Sequence, residues 1–260
     1  AELGRTGSIL LPAFWARRAR RLFPASALVI VTTVVAAKYL VPFFERKEIG
    51  IDAMWASLFS ANWRFALQGT DYLAADRSPS PLLHFWSLGV EEQFYIITPL
   101  LFASIAGTVA WRNRRAAKSG RAPIALVPVL SVVLTVIVIV SLAYCVYLTQ
   151  TNQPFAFFGT HARAWQLGAG GLLVIAVPRM RAVSLRWGTL ISSAGLALLV
   201  GCTVLLSESG TTFGFAYPSW LAIGPTLSGL LLIAGGLGGG PISSILSTRP
   251  FTFVGDISYS

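Results

Sequence analysis

The stretch IALVPVLSVVLTVIVIVSLAYCVYL at residues 124–148 decides the fold class, because it has no charged residue and is dominated by Val, Ile and Leu. A helix that crosses a bilayer needs about 20 mostly apolar residues, which this stretch supplies. Four further stretches of similar character are Leu22–Val41, Val90–Trp111, Gly188–Leu206 and Ser219–Leu237. The stretch Ala162–Val177 is shorter and Gly-rich, a composition typical of closely packed membrane helices. The sequence therefore predicts an all-α, polytopic transmembrane helical bundle with about six spans.

The composition excludes two broad classes of protein. Of the 260 residues, 55% are hydrophobic and 12% are charged. A soluble domain carries about 25% charged residues, so neither a soluble single domain nor a disordered chain fits. The net charge of +10 does not predict nucleic acid as a partner, because the basic residues cluster between apolar runs. Cys145 and Cys202 lie inside apolar stretches without ligand spacing, so no disulfide and no metal site is expected.

The basic residues orient the predicted bundle. Placing the segment Ala13–Arg21 in the cytoplasm puts most of the 20 Lys and Arg residues on that side, as the positive-inside rule requires. The count works only if the amphipathic stretch Ile51–Leu67 forms an interfacial or re-entrant helix rather than a span. The long segment Pro42–Gly89 then lies outside, and the helix that follows it starts at the outer face.

Residues 14–24, FWARRARRLFP, contain four arginines at the cytoplasmic mouth of the first predicted span. One interpretation is an anchor that fixes the topology and touches anionic lipid headgroups. The other is a phosphate clamp, because arginine forms bidentate hydrogen bonds with phosphate oxygens better than lysine does. The residues alone leave both interpretations open.

Residues 78–95, SPSPLLHFWSLGVEEQFY, combine a histidine and two carboxylates just before an apolar run. Ser80 is expected to cap a helix that begins at the following proline. That helix would place His84 and Glu91 on one face, with Glu92 roughly 80° away from the histidine. A histidine and a carboxylate so arranged can act as a general acid/base pair. The alternative is that the glutamates only stabilise the positive end of the helix, although two carboxylates beside lipid are costly.

Two more charged residues stand at the start of apolar stretches. Arg163, in HARAWQLGAG at residues 161–170, is expected to snorkel at the interface, to pair with a glutamate, or to hold an anionic or sugar group. Asp256, in FVGDISYS at residues 253–260, marks the start of another helix and, by itself, nothing more specific.

Four stretches together resemble the acyltransferase 3 family, the bacterial integral-membrane O-acyltransferases that modify sugars. In the family's order they are FWARRARRLFPA at 14–25, LLHFWSLGVEEQFYIITPLL at 82–101, RAWQLGAGGLL at 163–173 and FVGDISYS at 253–260. The second stretch is long and highly specific. The resemblance covers nearly the whole chain and implies a single acyltransferase-3-like membrane domain over residues 1–260.

The resemblance implies a multi-pass enzyme of the bacterial inner (plasma) membrane. Such an enzyme takes an acyl group, often acetyl from acetyl-CoA, on the cytoplasmic side. It delivers that group to a hydroxyl of an extracytoplasmic glycan or glycolipid, as in the modification of lipopolysaccharide or peptidoglycan. Acyl-CoA is then a co-substrate, the bilayer and the glycan acceptor are the partners, and no bound cofactor or metal is implied.

The resemblance also implies roles for individual residues. Three arginines match the donor-binding positions: Arg17, Arg18 and Arg21. Three residues are expected to be catalytic: His84, Glu91 and Glu92. Three others are candidates for contact with the acceptor or for structural pairing: Trp86, Arg163 and Asp256.

Three further expectations complete the sequence-based scheme. The family's first helix carries an Arg and a His that do not occur here, so we expect a fragment that lacks the first helices and the C-terminal end, with the catalytic histidine upstream of residue 1. The orientation places the arginines at the inner lip and the glutamates at the outer lip, with the acyl group crossing between them. The alternative function is a transporter or flippase for lipid-linked glycans, which would show repeats and charges near the midplane.

Overall fold

The computed structural model describes residues 11–70, 79–180, 184–206, 211–212 and 215–257. The helices in these ranges are α1 (Leu11–Leu40), α2 (Phe43–Ser57), α3 (Ala61–Thr70), α4 (Phe85–Lys118), α5 (Leu126–Thr151), α6 (Gln153–Phe158), α7 (Thr160–Met180), α8 (Leu185–Leu205), α9 (Ile223–Gly236), α10 (Pro241–Leu246) and α11 (Arg249–Ile257). The strands β1 (Thr211–Thr212) and β2 (Phe215–Ala216) form one short antiparallel pair. The predicted all-α class is confirmed.

Four of the described helices are long and apolar enough to cross a membrane: α1, α4, α5 and α8. They overlap four of the predicted spans, and helices also occupy the other two, as α7 and the shorter apolar helix Trp220–Gly236. The helix α1 begins at Leu11, well before the predicted start at Leu22, so the segment Ala13–Arg21 is part of the helix. Their outer surfaces are apolar: Leu28, Val132 and Val204 are 65%, 63% and 75% exposed. Helices that leave such side chains uncovered are suited to contact with lipid. The structure therefore supports the membrane class.

The contacts within the described chain group it into two compact units. The described residues of Ala1–Val133, together with Phe158–Thr160, form the first unit. The described residues of Leu134–Phe157 and His161–Ser260 form the second. The single domain implied by the resemblance stays a prediction.

In the first unit, two short helices replace the single helix expected over Ile51–Leu67. Phe59 has a φ of 51°, in the left-handed region, which ends α2 and starts a new direction for α3. The amides of Phe59 and Ser60 donate to carbonyl oxygens in the last turn of α2 at 3.0 and 2.9 Å. Neither helix is among the four candidate spans found in the described residues, and the interfacial or re-entrant placement of this stretch stays a prediction.

Small side chains and one ion-pair cluster hold α2 and α3 together. The buried core around them consists of Ala53, Ala56, Ala61, Phe65, Leu82 and Phe85. Arg64 of α3 donates to Asp52 at 3.1 Å and to Glu48 at 2.6 Å, both on α2. Since Asp52 is only 3% exposed, this arginine compensates a carboxylate that water does not reach.

The second unit joins its helices through close contacts and buried hydroxyls. Ser141 of α5 donates to the carbonyl of His161 at 2.7 Å and accepts from the amide of Trp165 at 3.0 Å, which ties α5 to α7. Gly195 of α8 lies so close to α9 that an added Cβ would be 2.9 Å from the amide nitrogen of Leu232. Small residues permit such approach between membrane helices.

Candidate functional site

The first unit brings an arginine of the N-terminal cluster against both glutamates. The Nη2 of Arg18 lies 2.6 Å from the Oε1 of Glu92 and 3.4 Å from the Oε1 of Glu91. The Nε of Arg18 also donates to Glu92, at 3.2 Å. Charge-assisted bonds of this kind are the strong ones in proteins, and two donors on one carboxylate fix its orientation. The three side chains therefore form one site.

The helical spacing of α1 explains why Arg18, rather than its neighbours, points inward. Arg18, Leu22 and Ser26 recur every four residues and so lie on one face of the helix. Leu22 and Ser26 are buried, whereas Arg17 and Arg21 are exposed. Arg18 is thus the charged residue on the inward face of α1, and it lies where this face meets α4.

Two aromatic residues support this ion pair. The guanidinium carbon of Arg18 lies 3.3 Å from the centre of the Tyr95 ring, a cation–π contact. The indole of Trp15 donates to the backbone carbonyl of Tyr95 at 3.2 Å. Trp15 and Arg18 on α1 thus both contact the turn of α4 that follows the glutamates.

The two glutamates are not equivalent. The side chain of Glu92 is 14% exposed and receives two N–H groups of Arg18. The side chain of Glu91 is 32% exposed, and its distance to the Nη2 of Arg18 is longer, at 3.4 Å. Glu92 is therefore the more firmly held carboxylate, and Glu91 is the more exposed one.

This contact overturns the expectation that the arginines and the glutamates occupy opposite lips of the bundle. The hydrocarbon core of a bilayer is about 30 Å thick. An N···O distance of 2.6 Å between Arg18 and Glu92 places the two groups at the same depth. The sequence count failed because it assigned sides by segment, whereas α1 and α4 meet through side chains near their N-terminal ends.

The start of α4 differs from the sequence prediction. The helix begins at Phe85, and the preceding turn is held by i→i−3 bonds such as Leu83 to the Ser80 carbonyl at 2.9 Å. Ser80 caps this turn, its hydroxyl accepting from the amide of Leu82 at 3.3 Å. Such tight bonds give a 3₁₀-like turn in place of the expected first α-helical turn. The helix then continues without a break past the glycine that precedes the glutamates.

His84 lies at the exposed N-cap of α4, seven residues before Glu91. Seven residues of helix correspond to about 10 Å along the axis, which is beyond hydrogen-bond reach. The His84 ring packs 4.8 Å from the ring of Phe85. Trp86 packs edge-on against Phe158, with ring centres 5.6 Å apart. The catalytic role of His84 and the acceptor role of Trp86 stay predictions.

Sequence reasoning missed Gln93, which follows the two glutamates. Its amide nitrogen donates to the Phe59 carbonyl and to the Oδ1 of Asn62, each at 2.9 Å. Its amide oxygen accepts from the indole of Trp63 at 3.1 Å and from the hydroxyl of Thr160. A polar residue at the head of an apolar helix was the one available signal, because its partners are distant in sequence.

The second unit contains the other predicted residues. Arg163 is 6% exposed and donates to the carbonyl of Phe157 at 2.9 Å and to the Oε1 of Gln166 at 3.3 Å. Its guanidinium also lies 4.9 Å from the Phe157 ring and 5.7 Å from that of Tyr217. These contacts of Arg163 lie within the second unit, and its pairing with a glutamate stays a prediction. Asp256 lies on the exposed helix α11, which begins at Arg249, seven residues earlier, so the expectation that Asp256 marks the start of a helix was wrong.

The shifted pKa of one histidine and the search for a metal site complete the description. Burial lowers the pKa of His161, whose ring lies 5.1 Å from that of Tyr144. In the part of the chain that the structure describes, no three His, Cys, Asp or Glu side chains come together as a metal site would require.

Comparison with known proteins gives a family. The model of a family described as an acyltransferase domain matches residues 4–260. YrhL of Bacillus subtilis (strain 168), provisionally named a peptidoglycan O-acetyltransferase, is 30% identical over 275 residues, which cover 97% of this chain and 40% of that protein. OatA of Listeria monocytogenes, named a peptidoglycan O-acetyltransferase, is 27% identical over 255 residues, which cover 97% and 39%. The chain thus spans about two fifths of the length of these curated relatives. No solved structure matches it.

Proposed function

The chain belongs to the acyltransferase 3 family, and on this premise we propose that it transfers an acyl group, typically acetyl, from acyl-CoA to a hydroxyl of a cell-envelope glycan. The observation that carries the proposal is the carboxylate pair held by Arg18 inside the stretch most typical of the family. The names of the two relatives point to peptidoglycan as the acceptor. The protein would work as a multi-pass protein of the bacterial inner membrane, where the apolar helices and a glycan precursor can meet.

The geometry supports a division of labour between the glutamates. Glu91, the more exposed carboxylate, takes the proton of the acceptor hydroxyl while the hydroxyl oxygen attacks the acyl carbonyl carbon. The carbon–sulfur bond of the donor then breaks, and the leaving thiolate takes up the proton. Glu92 accepts two N–H groups of Arg18 and keeps the site in position. His84 would act only after a movement that brings it closer.

The exposed arginines are the best candidates for the donor. Arg17 and Arg21 are four residues apart, so they share one face of α1, and both are exposed. Guanidinium groups in this arrangement suit the phosphates of CoA, which cannot enter lipid. Arg18 was expected to join them, but its described contacts go to the carboxylates and to Tyr95. In this proposal the donor binds to the exposed face of α1, which carries Arg17 and Arg21. The glutamates contact a different face of the same helix, through Arg18.

The structure restricts the binding position of the glycan acceptor less than that of the donor. A glycan hydroxyl must reach Glu91 without displacing Glu92 from Arg18. Trp86, Arg163 and Asp256 are retained as candidate acceptor contacts on the strength of the family resemblance. The guanidinium of Arg163 lies over the rings of Phe157 and Tyr217. A sugar would stack on these aromatic rings only after the guanidinium and the rings move apart.

The test measures transfer directly. Membranes from cells that produce the intact protein receive radiolabelled acetyl-CoA, and label on glycan is counted against membranes without the protein. We expect labelled glycan, and a fall of about 10²–10⁴-fold in kcat for Glu91→Gln, as for loss of a general base. Glu92→Gln should cost less in kcat than Glu91→Gln. Glycan that moves across the membrane without gaining label would refute the enzyme and favour a flippase.

A further inference from the structure

A closed ring of three side chains lies on the side of α4 away from the ion pair. The Nε2 of Gln93 donates to the Oδ1 of Asn62 at 2.9 Å, and the Nδ2 of Asn62 donates to the hydroxyl of Thr160 at 3.1 Å. The hydroxyl of Thr160 donates to the Oε1 of Gln93 and closes the ring. Within the ring, every member donates one bond and accepts one, so the three bonds have one consistent direction.

Two members of the ring are buried, Gln93 is half-buried, and the ring has further hydrogen bonds to its surroundings. Asn62 is 0% exposed and Thr160 is 8% exposed. The remaining donor of Gln93 goes to the carbonyl of Phe59 at 2.9 Å, and its oxygen also accepts from Trp63 at 3.1 Å. Gln93 thus uses two donors and two acceptor sites, which is all that an amide side chain offers. A fully satisfied polar network in a low-dielectric setting is rigid and has one arrangement.

Gly89 brings α4 close enough for the ring to form. It lies one turn before Gln93, on the same face of the helix. A Cβ at this position would lie 2.9 Å from the Oδ1 of Asn62 and 3.0 Å from the carbonyl oxygen of Phe59. Phe59 itself has a positive φ, so the turn between α2 and α3 is shaped to meet this helix.

The ring fixes the rotation of α4 about its own axis, and the glutamates are sensitive to that rotation. Successive helical residues are about 100° apart, so Gln93 points away from Glu91 and lies to one side of Glu92. Side chains reach about 5–6 Å from the helix axis, so a rotation of about 20° would move a carboxylate by about 2 Å. A shift of that size would break the 2.6 Å contact between Arg18 and Glu92.

We propose that Gln93, with Asn62 and Thr160, is a positioning group that holds Glu91 and Glu92 in register with Arg18 for acyl transfer. The proposal rests on the proposed function. The ring would act through the backbone of α4. Because misplacement of about 1 Å at a reacting group can cost about 10²-fold in rate, the effect appears in kcat rather than in binding.

The test uses two ring variants, each with a matched control. Thr160→Val removes the hydroxyl and keeps the shape, and Thr160→Ser should restore it. Gly89→Ala pushes on the ring by its Cβ. The controls are Thr203→Val, whose hydroxyl donates to the Val200 carbonyl of its own helix, and Gly107→Ala, which lies on α4 with open space around it among the described residues.

In the labelled-acetyl transfer assay we expect Thr160→Val and Gly89→Ala to lower kcat by about tenfold or more, with donor and acceptor KM within about twofold of wild type. Thr160→Ser, Thr203→Val and Gly107→Ala should keep wild-type kcat. Wild-type kcat in both ring variants would overturn the inference, and so would variants that all fail to fold, because the ring would then serve the fold alone.

A second readout separates failure of this inference from failure of the proposed function, because it needs no activity. In the intact protein, Glu92→Gln should lower Tm less in the Thr160→Val background than in the wild-type background, since a misplaced Glu92 has less contact to lose. Equal losses in both backgrounds would overturn the inference. Absence of any transfer by the wild type, with unequal losses of Tm, would refute the proposed function while leaving the positional coupling intact.

Discussion

Removal of the Arg18 guanidinium is the sharpest test of the ion pair between α1 and α4. Arg18→Ala deletes two N–H contacts to Glu92, at 2.6 and 3.2 Å, and the contact to the Tyr95 ring. Charge-assisted hydrogen bonds contribute about 1.5–3 kcal/mol each, but these two share one acceptor oxygen and do not add. The cation–π contact adds about 1 kcal/mol. We expect a loss of about 3 kcal/mol in the free energy of unfolding, because Glu92 is left mostly buried without its cation.

The pairwise part of this loss can be isolated. Glu92→Gln removes the charge but keeps a hydrogen-bond acceptor, so it should cost about 1–2 kcal/mol. The double variant should then be less destabilised than the sum of the single variants by about 1–2 kcal/mol, a coupling typical of residues in direct contact. The measurement is the free energy of unfolding in mixed micelles, followed by tryptophan fluorescence.

Arg20→Ala is the matched control. Arg20 belongs to the same cluster, is exposed, and donates to the Ala16 carbonyl of its own helix at 3.2 Å. Its loss should cost less than about 1 kcal/mol, as for an exposed charge. Additive effects of Arg18→Ala and Glu92→Gln would contradict a direct pair. An equal cost for the Arg20 variant would show that the cluster acts through its total charge.

Three further outcomes are expected. Combined replacement of Arg17 and Arg21 by Ala should raise the KM for acyl-CoA by about tenfold or more while the protein still inserts in the membrane, since the loss of even one phosphate contact costs about 1.5–3 kcal/mol. An unchanged KM would contradict their donor role. Gly195→Ala should lower the free energy of unfolding by about 1–3 kcal/mol through overpacking against α9, whereas Gly201→Ala on the same helix, with open space around it, should be neutral or gain up to about 1 kcal/mol. Because burial lowers the pKa of His161 below its ordinary value of 6.5, the unfolded chain takes up the proton more readily, so stability should fall as the pH drops below about 6.5, and His161→Gln should flatten that fall in a Tm-against-pH series.

Much of the fold follows from local pattern. The span Ile124–Leu148 contains no charged residue. A helix satisfies all its backbone hydrogen bonds internally, so this helix can be predicted without knowing which other helices it contacts. The stretch Ile51–Leu67 shows the limit of this reasoning. Its apolar spacing is helical throughout, yet the helix is interrupted at Phe59, which has a positive φ. The second half changes direction there because it packs on α4, and the hydrogen bond from Gln93 to the Phe59 carbonyl stabilises the turn.

The candidate site likewise has a part that the sequence indicates and a part that only the packing of the helices shows. Glu91 and Glu92 stand out in the sequence as two carboxylates before an apolar run, and the family resemblance gives them a role. Their partner does not stand out, since Arg18 is one of four arginines in five residues. The inward face of α1 selects it, and that face is defined only by which side of the helix meets α4.

Sequence alone therefore determined the membrane class, the family and the set of ionisable residues, because hydropathy and motif identity belong to single stretches of chain. Tertiary structure decided which of these residues meet: Arg18 with Glu92 across 74 positions, and Asn62 with Thr160 across 98. The physical reason is that a charge or an amide buried beside lipid must be satisfied by a neighbour in space. The helix packing, and not the order of the chain, supplies that neighbour.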